Sequence, residues 1–308
     1  MRTERSVLTV PGSNWKMIEK GVASEADVAL LDLEDAVAPD AKAEARGTVT
    51  RALRELDWGR KPRAFRVNAL DTPFFYRDLI EIVEAAGDRI DLIVVPKVDC
   101  PEDVYVVDTL LTQIEMAHGL ESRIGLEVQI ETATGLVNCE RIAGASRRLE
   151  AIVYGPGDFA ASVRMPVESI GAMDEWDDAY PGHRHHDVMS RILVAGRAAG
   201  IRVIDGPFAN FRDAEGTRRS CRIARALGYD GKWCIHPSQI ATANEVFSPT
   251  EREIAWASRV VEAYEAARRE GRGAIALDNK MIDAANLRMA RNTIEQARLV
   301  GLLPTPEP

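Results

Sequence analysis

The sequence has no long hydrophobic run. Its most apolar stretches, such as Leu92 to Val95, fall far short of the roughly 20 residues that cross a bilayer, so no membrane-spanning helix is expected. Met1 to Arg5 is charged and leads straight into an apolar segment, without the apolar core of a secretory signal; a cytoplasmic location is the expectation. Cysteine is scarce. Cys100, Cys139, Cys221 and Cys234 lie far apart, with neither CxxC nor zinc-ligand spacing, which leaves buried, reduced thiols rather than a disulfide framework. Aromatic residues make up only 6%, and Trp58, Trp176 and Trp256 read as packing or loop anchors rather than as a platform for stacked bases. Basic charge is in deficit: 39 Lys and Arg against 48 Asp and Glu give a net charge of -9, which argues against nucleic acid as the main partner. An anionic ligand would need a local basic pocket.

What is present is an ordinary globular balance, 46% hydrophobic and 28% charged, enough for a sizeable core. A length of 308 residues suits one α/β barrel of about 250 residues plus an appendage. Short β-rich runs recur, each followed by helical periodicity: Ser6 to Val10, Val28 to Leu33, Arg63 to Val67, Leu92 to Pro96, Ile124 to Ile130, Ala151 to Tyr154, Arg202 to Ile204 and Lys232 to Ile235. About eight such pairs predict a parallel sheet, whose buried strands should be this apolar. Helix starts are signalled by Ser13 and Asn14, by Asp40, by Pro101 with Glu102 and Asp103, and by Thr132 or Thr134. Between Ala161 and His186 the rhythm breaks into a stretch with Pro166, Gly171, Pro181 and Gly182, expected to be a long loop over the barrel mouth. Beyond Ile235 two further helices, near 249–270 and up to about Leu299, flank Ala274 to Asp278.

Parallel barrels place catalytic groups where strands end and loops begin. Nearly every run here ends on such groups: Pro11-Gly12-Ser13, Asp32-Leu33-Glu34-Asp35, Arg66-Val67-Asn68, Lys97, Glu131, Gly155-Pro156-Gly157-Asp158, Asp205 and His236. Burying that many charges around one rim is costly unless they pair or bind something. Glu131 and Asp158 follow neighbouring strands and could converge on one hard cation such as magnesium; equally, each could cap a helix or pair with Arg66. Gly155, Pro156 and Gly157 form a small-residue turn able to hold a substrate carboxylate. Arg66 is a permanent bidentate donor for a substrate oxygen, or an ion-pair partner of Glu34 or Asp35. Asp32, Glu34 and Asp35 form an acidic cluster suited to orienting Arg66 and water around a metal. His183, His185 and His186 lack companion ligands at helical spacing and read as solvated lid residues. His236 stays open between a ligand contact and helix entry.

Taken together, Ser6-Val-Leu-Thr-Val-Pro-Gly-Ser-Asn, Leu31-Asp-Leu-Glu-Asp-Ala-Val, Phe65-Arg-Val-Asn, Val95-Pro-Lys, Gln129-Ile-Glu-Thr, Tyr154-Gly-Pro-Gly-Asp-Phe, Ile204-Asp-Gly-Pro, Gly231-Lys-Trp-Cys-Ile-His-Pro and Gly273-Ala-Ile-Ala-Leu-Asp resemble the citrate lyase β-subunit-like (HpcH/HpaI aldolase) family, and within it the malyl-CoA lyases. The resemblance runs from about residue 5 to 300. It implies a TIM (β/α)8 barrel over residues 1–247 and a C-terminal helical extension over 248–308, assembled as homotrimers or homohexamers. It implies magnesium, with manganese as a substitute, on Glu131 and Asp158, and Arg66 on the reacting oxygen. It also implies that Asp278, in the extension, serves a neighbouring subunit's active site as acid/base. The expected reaction is Claisen-type cleavage or formation of malyl-CoA or 3-methylmalyl-CoA from acetyl-CoA or propionyl-CoA and glyoxylate; citramalyl-CoA cleavage and malyl-CoA thioester hydrolysis are the alternatives. Lys16 and Lys20, on the first helix, are the candidate phosphate partners of coenzyme A.

Overall fold

A computed structural model describes residues 2–180 and 183–304; Pro181 and Gly182 of the anticipated loop lie outside the described residues. The chain divides into two compact units, one spanning Glu4–Asn244 and the other formed by the remaining N-terminal residues with the segment from Glu245 onward.

Eight parallel strands close the first unit into a barrel: β1 (Ser6–Pro11), β2 (Val28–Asp32), β3 (Arg63–Arg66), β4 (Leu92–Val95), β5 (Gly125–Ile130), β6 (Leu149–Tyr154), β7 (Arg202–Asp205) and β8 (Gly231–Cys234). Each lies within two residues of an apolar run in the sequence. β8 pairs back onto β1, with Val7 opposite Trp233, so no edge is left open. Two of the expected strand-end caps form, whereas Asp40 lies within a short 3-10 turn and the helix Lys42–Glu55 that follows has no side-chain cap. Asn14 accepts from the Met17 N–H at 3.1 Å, and Thr132 from the Gly135 N–H at 2.8 Å.

Strand side chains alternate between two faces, and that alternation decides which residues can form a site. Val28, Leu30, Ala64, Leu92, Val94, Ala151, Val153, Ile204 and Trp233 pack together in the barrel interior. By the same parity Asp32 follows Leu30, Arg66 follows Ala64, and Glu127, Gln129 and Glu131 share one face of β5. All five are buried. A charged layer closes the barrel at its base as well, where Arg202 lies 3.2 Å from Glu4, 3.6 Å from Glu127 and 3.3 Å from Glu150.

The stretch expected to be an unbroken loop contains a short helix, Glu175–Ala179, capped by Asp174, and leads into the helix His186–Ala199. The second unit holds two helices, Glu251–Arg269 and Ala284–Leu299, packed around Tyr264, Ile282 and Leu287. Between them lies a hairpin of β9 (Ile275–Leu277) and β10 (Lys280–Ile282). Asp278 and Asn279 form its two-residue turn with φ of 49° and 59°, the left-handed pair that such tight turns require. Among the described residues, no helix is long and apolar enough to cross a membrane.

Candidate active site

Arg66, at the end of β3, is the centre of the mouth's charge network. Its Nε and Nη2 donate to Asp32 Oδ1 and Oδ2 at 2.6 and 2.7 Å, a bidentate pair. Nη1 donates to Gln129 Oε1 at 3.2 Å, and Glu34 Oε2 lies 2.6 Å from Nη1 without hydrogen-bond geometry. Asp32 is fully buried and also accepts from the N–H groups of Glu34 and Ala36, each at 3.0 Å. Burial works against its charge, yet Arg66 and these donors hold its carboxyl below the ordinary range. Asp35 is only a loose neighbour, 3.9 Å from Arg66 and largely exposed. The guanidinium sits 5.3 Å from the Trp233 ring centroid and keeps one N–H on each of Nη1 and Nη2 outside the hydrogen bonds just described.

Glu131 follows β5 and is 2% exposed. It accepts from the Lys97 backbone N–H at 2.8 Å and from the Gln129 side-chain amide at 3.2 Å. Burial, and next the charge of Glu34, push its carboxyl up to about 8; Arg66 and Lys97 offset part of this and Asp158 adds to it. Asp158 is half-exposed, with the Lys97 ammonium 3.6 Å from its Oδ1. Two hard oxygen donors, one buried with too little positive charge around it, fit a divalent cation of the magnesium type. Gly155 makes this packing feasible: a Cβ there would stand 2.2 Å from Glu131 Oε2. Among the described residues no cluster of three or more His, Cys, Asp or Glu could hold a metal, so any further ligands would come from water or substrate.

Residues 5–237 match the model of the HpcH/HpaI aldolase/citrate lyase family. The chain belongs to this family. An L-malyl-CoA/beta-methylmalyl-CoA lyase of Cereibacter sphaeroides is 45% identical, with 97% of this chain and 96% of that protein aligned. A (3S)-malyl-CoA thioesterase of the same species is 35% identical over 96% of this chain and 95% of its own. Among solved structures, the CitE protein of Mycobacterium tuberculosis in complex with magnesium, acetoacetate and coenzyme A superimposes with a TM-score of 0.75 at 29% identity, covering 95% of this chain and 97% of that one.

The other site residues of this HpcH/HpaI chain are placed less uniformly. In the Gly155-Pro156-Gly157 turn, the Gly155 N–H is committed to the Ile130 carbonyl at 3.1 Å and Pro156 has none. The first intrahelical bond of Pro156–Ser162 comes from Phe159, so the donors at its head are the N–H groups of Gly157 and Asp158. Lys16 and Lys20 are both exposed on the helix Trp15–Val22, Lys16 in its first turn and Lys20 in its last. Asp278, in the second unit, is exposed and bidentate with Arg259 at 2.8 Å to each oxygen; the Arg259 hydrogen bond holds its carboxyl below the ordinary range.

In the histidine stretch His186 is exposed, as expected, and His183 is half-buried, but His185 departs from expectation. His185 is buried rather than solvated, its Nδ1 2.5 Å from Tyr154 Oη, and burial pushes its pKa down to about 4. His236 serves helix entry: its ring accepts from the Ser238 N–H and stacks on Phe211 at 4.5 Å. Asp205 pairs with Lys232 at 2.5 Å, on strand positions opposite in parity to Ile204 and Trp233, which pack inside the barrel. Two residues of the mouth had no assigned role in the sequence, Lys97 and Gln129. Lys97 stands at a strand end, a position that marks it for inspection; Gln129 is an uncharged residue within a strand, signalled by its parity with Glu131 and its place in the Gln129-Ile-Glu-Thr motif.

Proposed function

We propose that this protein is a magnesium-dependent lyase that cleaves or forms malyl-CoA, and 3-methylmalyl-CoA, with glyoxylate and acetyl-CoA or propionyl-CoA as the other side of the reaction. The observation that carries this is a buried guanidinium at the same barrel mouth as the Glu131 and Asp158 carboxylates, in a chain aligned over 97% of its length with a malyl-CoA lyase. Glu131 and Asp158 would hold the metal, with Gly155 leaving room for the Glu131 carboxylate. When bound, magnesium polarises the hydroxyl and carboxylate oxygens at the 2-hydroxy acid end of the substrate. Gly157 and Asp158 offer backbone N–H groups to that carboxylate. Cleavage of the bond between the two substrate halves turns the 2-hydroxyl into the glyoxylate carbonyl, its proton passing to solvent, and leaves the thioester half as an enolate, to whose oxygen Arg66 supplies positive charge. Asp32 fixes the Arg66 plane so that little reorganisation accompanies this charge development. Asp278, from a neighbouring copy in a homotrimer or homohexamer, gives a proton to the enolate carbon; in synthesis it removes one. Lys16, exposed in the first turn of its helix, would meet the phosphates of coenzyme A, with Lys20 farther along the same helix. The protein would work in the cytoplasm.

Product analysis by mass spectrometry on a panel of malyl-CoA, 3-methylmalyl-CoA and citramalyl-CoA, with and without magnesium, tests the assignment. Glyoxylate and acetyl-CoA should appear from malyl-CoA only with the metal. Free malate and coenzyme A as sole products would establish the thioesterase reading, which the 35% identical relative supports. Pyruvate released faster than glyoxylate would make the protein a citramalyl-CoA lyase.

A further inference from the structure

Lys97 touches both candidate metal ligands with different parts of itself. Its backbone N–H donates to Glu131 Oε1 at 2.8 Å, and its ammonium lies 3.6 Å from Asp158 Oδ1. The same ammonium is hydrogen-bonded to Glu34 Oε1 and lies 3.8 Å from Asp35. Strand parity does not explain this position. Leu92 and Val94 face the interior, so the alternation carried past Val95 would point residue 97 outward. Instead Lys97 has a φ of 50°, a left-handed backbone that a residue with a Cβ seldom adopts. That turn brings the side chain to the rim while its N–H stays on Glu131. An ordinary surface ion pair would not need the backbone to leave its preferred region.

We propose that Lys97 is the resident cation of the metal-free site: it compensates Asp158 and Glu34 before a divalent cation arrives and yields Asp158 when one binds. The inference rests on the reading of Glu131 and Asp158 as metal ligands. A positive charge that competes for a ligand weakens metal binding, while its anchor on Glu34 keeps the acidic rim from repelling itself apart. Lys97 is thus a positioning residue that sets how tightly the metal is held; it is not itself a ligand.

The test is calorimetric titration of magnesium into the metal-free full-length enzyme, its Lys97→Met and Lys97→Gln variants, and Lys97→Arg, with circular dichroism confirming the fold. Lys97→Met and Lys97→Gln should bind magnesium at least ten-fold more tightly and unfold at lower temperature without metal, whereas Lys97→Arg should stay close to the parent. Amine labelling of the unaltered protein supplies a readout that needs no variant: Lys97 should be modified faster once magnesium saturates the site. Equal or weaker magnesium binding by both neutral variants overturns the proposal, as does labelling that ignores the metal. If the parent binds magnesium and cleaves malyl-CoA but the variants bind no tighter, the role of Lys97 alone fails. If the parent binds no magnesium, the metal assignment fails with it.

Discussion

Glu131→Gln should make the metal-free protein more stable while removing its ability to hold magnesium, and the structure gives the size and pH range of the effect. In the unfolded chain this carboxyl ionises near 4.5; in the barrel, burial and the neighbouring carboxylates move it to about 8. The folded state therefore keeps a proton that the unfolded state has released, and stability is lost as pH rises from 4.5 to 8. At about 1.4 kcal/mol per pKa unit, the loss is about 3 kcal/mol at pH 7 and levels off near about 5 kcal/mol above pH 8. Glutamine cannot ionise and escapes that loss. It still accepts from the Lys97 N–H, but its amide meets the Gln129 amide where Glu131 Oε2 now accepts, which costs about 1 kcal/mol. The net gain is about 2 kcal/mol at pH 7, falling to nothing near pH 5. Urea unfolding of both metal-free proteins from pH 5 to 9 measures this directly as a midpoint shift at constant slope. Magnesium at a hundred times its dissociation constant should then stabilise the parent by about 2.7 kcal/mol and leave the variant unmoved. A variant less stable than the parent throughout, or a gap that does not widen between pH 5 and 8, would refute the claim that burial controls this carboxyl.

Four further outcomes follow from the same geometry. Arg66→Lys keeps the charge but loses the fork held by Asp32, and should lower kcat by about 10²- to 10³-fold with the fold intact by circular dichroism; a loss below ten-fold would remove Arg66 from the reaction. Gly155→Ala places a Cβ 2.2 Å from Glu131 Oε2 and should weaken magnesium binding in a calorimetric titration, unchanged affinity being the contrary result. Glu4, 3% exposed at the barrel base, has its carboxyl raised by burial and then by Glu127, so it costs stability as pH rises above the ordinary carboxylate range; Glu4→Gln should raise the urea midpoint at pH 8 more than at pH 5. Asp158→Asn and Asp278→Asn should each be inactive alone, and their co-expression should restore turnover if Asp278 serves a neighbouring copy; no restoration would place Asp278 elsewhere.

The barrel was legible because buried parallel strands are apolar on both faces, and runs such as Val28 to Leu33 have no other ready explanation. Helix starts at Asn14 and Thr132 were legible for an equally local reason, the hydrogen bond each cap makes. The hairpin at Asp278 was harder. Ile275–Leu277 and Lys280–Ile282 are three-residue strands, too short for periodicity, and only the Asp278-Asn279 pair, which tolerates left-handed angles, could have marked the turn. Within the site, the expected pairing of Arg66 with Glu34 is present at 2.6 Å and Asp32, from the same acidic cluster, is its bidentate partner, because parity along β2 sends Asp32 inward and leaves Asp35 beyond the strand as a loose neighbour. His185 could not be found by spacing alone: its partner Tyr154 lies 31 residues away, across a stretch that looks like open loop. Lys97 escaped assignment since nothing local predicts a lysine with a φ of 50°.

One strand joins the two charged layers of the barrel. Glu127 belongs to the base and Glu131 to the mouth, on the same face of β5 and, at about 3.3 Å per residue, about 13 Å apart. Between them on that face stands Gln129, and the barrel interior around it is lined by Val94, Val153, Ile204 and Trp233. Such an apolar interior screens charge poorly. Two unit charges about 13 Å apart still interact by about 1 kcal/mol at an effective dielectric of about 20, so charge rearranged around the mouth by substrate, metal or mutation is felt at the base that closes the barrel. The closure of the barrel at one end thus carries a weak electrostatic imprint of the chemistry at the other.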